Sequence, residues 1–127
     1  MRLALDTNAY RAAADSDPRT IEILSRAEEI WIPFVVLGEL RGGFAAGAIP
    51  LKNEAALTFF LGSPRVRILL ADDQTTHHYA FLYGQLRRQG TPIPTNDLWI
   101  AALVVQHDLP LLSSDSHFTH LPQIARL

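Results

Sequence analysis

The sequence predicts an α/β fold, a three-layer α/β/α sandwich with a mainly parallel central sheet. Three observations carry that expectation. Short apolar runs of strand length alternate along the chain with longer stretches whose apolar residues recur at helical spacing, the pattern of a parallel sheet wrapped by helices. The first run, Leu3-Ala4-Leu5, is apolar without alternation, as befits a strand buried on both faces. The first and last runs each lead into an acid, Asp6 and Asp115, at the carboxyl end of the strand, where open α/β sheets build their sites.

The elements follow in order. After Asp6, residues 9–11 read as the entry to a loop. Asp17-Pro18 is a cap followed by proline at the first helical position, and a helix is expected to about residue 28, with Ile21, Ile23, Leu24 and Ala27 as its buried stripe. Ile30-Trp31-Ile32-Pro33 is a second short strand closed by proline. The next helix, about 34–44, carries Glu39 with Val35 and Val36 before it and Gly42 and Gly43 after it at helical spacing. That is an acid on a largely apolar face, poorly placed for solubility alone.

Leu57, Phe60 and Leu61 define a helix over 51–61, stopped by Gly62-Ser63-Pro64, and residues 66–70 are a third strand. Residues 75–89 form a helix on Tyr79, Leu82, Tyr83 and Leu86, ended by Gly90. His77 and His78 near its start are adjacent, so their side chains diverge, and they read as surface or core residues rather than ligands. A proline-stiffened loop over 91–97 runs into a helix whose Ile100, Leu103 and Val104 face inward. Asp97 falls in its first turn or at its cap, although Thr95 or Asn96 could cap it instead. Residues 109–112 are the last core strand, and 124–127 could add an edge strand.

Composition narrows the chemistry. The 127 residues are the length of one domain, 48% apolar and 19% charged, an ordinary globular balance, so residues 1–127 are expected to form a single domain. With no Cys, thiolate metal sites and cysteine nucleophiles are excluded, which leaves oxygen ligands and the five His. A net charge of -2 argues against gripping nucleic acid by bulk charge, but 10 of the 11 basic residues are Arg, the better bidentate phosphate binder, so a local groove is open. Neither a signal-peptide pattern nor an apolar stretch of membrane-spanning length is visible, and a soluble, cytoplasmic protein is expected.

Asp6, Glu39, Asp97 and Asp115 sit at strand ends or helix faces that such a fold can bring together, whereas Asp15, Asp17, Glu28, Glu29, Asp72 and Asp73 lie in loops or solvent-like stretches. Each of the four has a bland reading as a cap, turn or surface residue. Together they do not, because clustered carboxylates repel and are kept only where a cation neutralises them. Oxygen ligands select a hard ion, Mg²⁺ or Mn²⁺, and such ions serve phosphodiester chemistry by activating water and stabilising charge on the attacking and leaving oxygens.

Four short motifs in order carry a resemblance: Leu5-Asp6-Thr7-Asn8, the stretch Leu37-Gly38-Glu39-Leu40-Arg41-Gly42-Gly43, then Asn96-Asp97-Leu98-Trp99-Ile100-Ala101-Ala102, and Leu112-Ser113-Ser114-Asp115-Ser116-His117-Phe118. Over essentially its whole length the chain resembles the PIN-domain family, specifically the VapC-type toxins of toxin-antitoxin pairs. The resemblance implies a metal-dependent endoribonuclease that binds Mg²⁺ or Mn²⁺ through Asp6, Glu39, Asp97 and Asp115, with Thr7, Asn8 and Ser113 as polar support. It also implies a homodimer and a cognate VapB-type antitoxin that covers the groove. Arg11 and Arg41 are the candidates for holding RNA phosphates, with Arg41 favoured by its closeness to Glu39, while Arg87 and Arg88 read equally as a solvated helix end.

In one place the chain departs from the family pattern. Many members carry a further acid two residues after the fourth, where this chain has His117, which leaves open one ion or two, and whether Asp97 or Glu39 orients the attacking water. His117 itself is read as either a phosphate contact or inert. Two other classes compete. A phosphatase of the haloacid dehalogenase type needs a second acid two residues after the first, and Asn8 stands there; a catalytically silent PIN-like module binding RNA or protein is discouraged by the presence of all four acids.

Overall fold

The sheet is built about β1 (Arg2–Leu5) in the computed structural model, which describes residues 1–127. Leu3, Ala4 and Leu5 are fully buried because parallel neighbours flank the strand on both edges and helices cover the sheet. One neighbour is β2 (Glu29–Pro33), with Ala4 opposite Trp31; the other is β4 (Leu111–Leu112), with Leu5 opposite Leu112. β3 (Val66–Leu69) pairs with the outer edge of β2, so the order is β3-β2-β1-β4, all parallel.

Six helices fill the crossovers: α1 (Thr7–Ala14) and α2 (Pro18–Arg26), α3 (Phe34–Ala46) and α4 (Pro50–Leu61), α5 (Asp73–Gln89) and α6 (Thr95–Gln106). Right-handed crossovers place the helices met on the way from β1 to β3 on one face and those on the return to β4 on the other, which makes the three layers. The core is a single cluster of 29 buried apolar residues, drawn from every strand and all six helices. No helix is long and apolar enough to cross a membrane.

Several local expectations are corrected. Residues 9–11, expected to lead into a loop, lie in α1, because Asp6 caps a run rich in alanine; the helix ends where Ser16 turns left-handed at φ 63°. Its buried face is only Thr7, Ala9 and Tyr10, too small a stripe to show periodicity. In α2 the cap Asp17 and Pro18 are as expected, but Ile21 is exposed and Leu24 carries the burial. That helix stops at Arg26, since the Glu28 N–H already donates to the Met1 carbonyl beside the sheet.

β4 is two residues rather than four. Pro110 has no N–H to give, although its carbonyl accepts from Ala4 at 2.9 Å. Residues 124–127 contribute a single bridge, Leu111 to Arg126, with the Leu111 N–H on the Ala125 carbonyl at 2.8 Å. That contact covers what would be a bare edge. At α6 neither Thr95 nor Asn96 caps the helix: Pro94 holds the cap position without a side-chain hydrogen bond, and Asp97 in the first turn is engaged elsewhere.

Candidate metal centre

The chain moves outward from β1 through β2 to β3, then returns to place β4 on the other side of β1. The direction of winding reverses between β1 and β4, and the crevice beyond their carboxyl ends is where an open parallel sheet leaves room for a ligand. Asp6 follows β1 and Ser113 follows β4, so the two meet there: Ser113 Oγ donates to Asp6 Oδ2. The other oxygen, Oδ1, accepts the Ala9 N–H at 2.8 Å as the cap of α1. Asp6 is therefore both a helix cap and the floor of the crevice, only 4% exposed.

Three more acids converge on it. Asp6, Glu39 from α3, Asp97 from α6 and Asp115 from the turn after β4 all line one cavity of about 320 Å³, with Thr7, Asn8 and Arg11 beside them. Each of the outer three is held through one oxygen. Thr7 Oγ1 donates to Glu39 Oε1 at 2.9 Å; His117 Nδ1 lies 2.7 Å from Asp97 Oδ2; and Asp115 Oδ1 accepts the His117 backbone N–H at 2.9 Å. Their remaining oxygens, Oε2, Oδ1 and Oδ2, have no protein donor. Since no buried side-chain polar atom in the chain lacks a partner, these three are open to solvent.

The loop that presents Asp115 is tied from both sides. Ser113 Oγ accepts the Asp115 N–H at 3.0 Å, and the Arg126 guanidinium donates to the Ser113 and Asp115 carbonyls at 3.3 and 3.2 Å. Electrostatics follow from the packing. Burial pushes the Asp6 carboxyl above the ordinary aspartate range, against the lowering hydrogen bonds from Ser113 and Ala9, and the charges of Asp115 and Glu39 push it further. Asp97 is raised for the same first reason, burial, opposed by His117 and reinforced by Asp115 and Glu39. Metal-free, the cluster is a repulsive arrangement.

A divalent cation fits this donor set. Carboxylate oxygens suit a hard ion: one carboxylate oxygen each of Asp97 and Asp115 lie within 4.8 Å of one another, and the free oxygens of Glu39, Asp97 and Asp115 share one cavity with Asp6. Of the residues expected as polar support, Thr7 donates to Glu39 and Ser113 to Asp6, while Asn8 is exposed at the rim between this cavity and a larger one of about 620 Å³.

The two arginines part company. Arg11 lines the acid cavity, its terminal nitrogen lying over Gly43, where an added Cβ would come within 3.1 Å of it. Arg41, the favoured candidate from the sequence, instead gives its Nε to Glu54 on α4 at 3.0 Å and does not line the cavity. Arg41 is two residues from Glu39, and residues two positions apart on a helix lie on opposite sides of it, which is why sequence closeness misleads here. Sequence reasoning left His117 unassigned and passed over Arg126. The only signal for His117 was its place two residues beyond Asp115, where a side chain can fold back on the acid that caps its own turn.

Comparison with known proteins agrees with this geometry. The profile of the PIN domain family matches residues 3–124. Ribonuclease VapC4 of Mycobacterium tuberculosis is 30% identical over 93 residues, covering 73% of this chain and 72% of that protein. Among solved structures, VapBC2 from Rickettsia felis, bound to a DNA fragment from its promoter, contains a chain that superposes with a TM-score of 0.87 at 27% identity, over 100% of this chain and 98% of that one. A chain of VapBC-1 from nontypeable Haemophilus influenzae superposes with a TM-score of 0.87 at 25% identity, over 100% of this chain and 97% of that one.

Proposed function

This chain belongs to the PIN-domain family, and from that premise we propose that it is a metal-dependent endoribonuclease, the toxin of a VapBC-type toxin-antitoxin pair. One observation carries the reading: four carboxylates from four separate elements line a single cavity at the reversal of the sheet, and three of them keep one oxygen free. Asp6, Glu39, Asp97 and Asp115 would hold Mg²⁺ or Mn²⁺. When bound, such an ion supplies charge for the phosphoryl oxygens and lowers the pKa of water.

The chain's own groups supply the rest. Asp6, fixed through both oxygens by Ser113 and the α1 backbone, is the rigid member against which the others are set. Glu39 Oε2 and Asp97 Oδ1 are the free acceptors suited to orienting a water for in-line attack. Arg11, at the cavity wall, is the phosphate contact, and Asn8 at the rim offers hydrogen bonds to the strand. The partner is a VapB-type antitoxin, as in the VapBC complexes to which the chain is similar, and the substrate is RNA.

The test is direct. Purified protein supplied with Mg²⁺ or Mn²⁺ cleaves single-stranded or looped RNA, chelation stops it, and Ca²⁺ restores it poorly. Cleavage that survives chelation, or that persists in Asp97→Asn, overturns the reading.

A further inference from the structure

His117 touches two of the four acids without facing the cavity they line. Its Nδ1 is 2.7 Å from Asp97 Oδ2 and 3.1 Å from Asp115 Oδ1, and its backbone N–H holds that same Asp115 oxygen at 2.9 Å. Asp97 comes from α6, and Asp115 caps the 3-10 turn Ser116–His120 that carries His117, so the residue is a clasp between segments distant in sequence. The clasp is anchored by the neighbouring Phe118, buried in the core at 1% exposure.

The chemistry of the ring decides its role. The hydrogen-bond partner of Nδ1 is the Asp97 carboxylate, with a second carboxylate oxygen, of Asp115, 3.1 Å away; carboxylates accept and do not donate, so Nδ1 carries the hydrogen. Nδ1, bearing hydrogen, is not a ligand, and His117 is not among the residues that line the acid cavity. The oxygens that His117 occupies are Asp97 Oδ2, through the ring, and Asp115 Oδ1, through the backbone N–H, which leaves Asp97 Oδ1 and Asp115 Oδ2 for an ion. Hydrogen bonds of this kind from outside the ligand set orient metal-binding carboxylates.

We propose that His117 is a positioning residue of the metal centre, whose Nδ1–H on Asp97 and backbone N–H on Asp115 hold the two acids so that their free oxygens converge on one cation. The proposal rests on the metal-dependent reading above. It predicts which atom of the ring matters, because the amide nitrogen of Asn overlays Nδ1 and that of Gln overlays Nε2.

Mn²⁺ binding, measured by titration calorimetry on wild type, His117→Asn, His117→Gln and His117→Ala, separates the possibilities. The Asn variant retains wild-type affinity within about threefold, while Gln and Ala weaken it roughly 10- to 100-fold, the range for loss of an outer partner. Melting curves in chelator stay close together for all four, since the ring is solvent-accessible. Electron spin-echo measurements on wild type loaded with Mn²⁺ show no directly coordinated imidazole nitrogen. Equal loss in Asn and Ala, unchanged affinity in Ala, or a directly bound nitrogen in wild type each overturns the proposal. Wild type that binds no Mn²⁺ overturns the metal-dependent reading, and the clasp with it.

Discussion

Asp115 is the residue at which a structural and a functional role predict opposite signs for one substitution. It caps the 3-10 turn through Oδ1 and also raises the pKa of both Asp6 and Asp97 through its charge. Asn caps about as well as Asp, so Asp115→Asn preserves the turn and removes only the charge. In chelator the variant is expected to melt higher, by roughly 2–5 °C for a relief on the order of 1 kcal/mol. It loses the further stabilisation that Mg²⁺ gives wild type, and loses cleavage. A variant that keeps either would remove Asp115 from the metal set. Asp97 adds a pH dependence. Its carboxyl titrates higher folded than unfolded, so in metal-free protein it contributes stability below the ordinary aspartate pKa that is lost as pH rises through the raised value. Urea midpoints in chelator across this window should therefore show Asp97→Asn gaining on wild type as pH rises, then levelling; a difference independent of pH would contradict the raised value.

Among the elements, α5 shows how much of a boundary is local. Asp72 and Thr75 close a capping box at its start, and at its end Gly90 takes φ 72° while the Gly90 and Thr91 N–H groups return to the Arg87 and Leu86 carbonyls. Gly90→Ala is expected to cost about 1 kcal/mol, because a Cβ is strained in the left-handed region, and to leave cleavage unchanged. Thermal melting and an RNA cleavage assay on the same preparation check both halves. α1 is the contrasting case. Its cap is also the innermost acid of the cavity, so Asp6→Asn should keep the helix and lose metal binding, whereas Asp6→Ala should lose both; circular dichroism with Mn²⁺ titration distinguishes them.

For the whole molecule, the question is what covers its exposed apolar surface. Phe59 on α4 is 88% exposed and Tyr83 on α5 is 47% exposed, while their neighbours Phe60 and Tyr79 are used within the fold: Phe60 meets Tyr10 edge-on and Tyr79 packs on Trp99. A homodimer through one of these helices is the expectation. Light scattering should give twice the 14.1 kDa chain mass at micromolar concentration, and Phe59→Glu or Tyr83→Glu, made separately, should return it to the monomer on whichever helix forms the contact. A monomeric wild type would remove the dimer.

By itself, the sequence determined the alternation of strands and helices, most of their boundaries and the four acids, because each rests on a contiguous signal: an apolar run, a cap with proline behind it, a glycine stop, an acid at a strand's end. Tertiary structure decided the rest. Whether Arg11 or Arg41 faces the acids depends on which way α1 and α3 are turned against each other, and Glu54 on a third helix competes for Arg41. Which oxygen of each carboxylate is held and which is free depends on Thr7, 32 positions from Glu39, and on His117, 20 positions from Asp97. Those partners meet only because the sheet reverses between β1 and β4, and periodicity along the chain has no access to contacts made across that reversal.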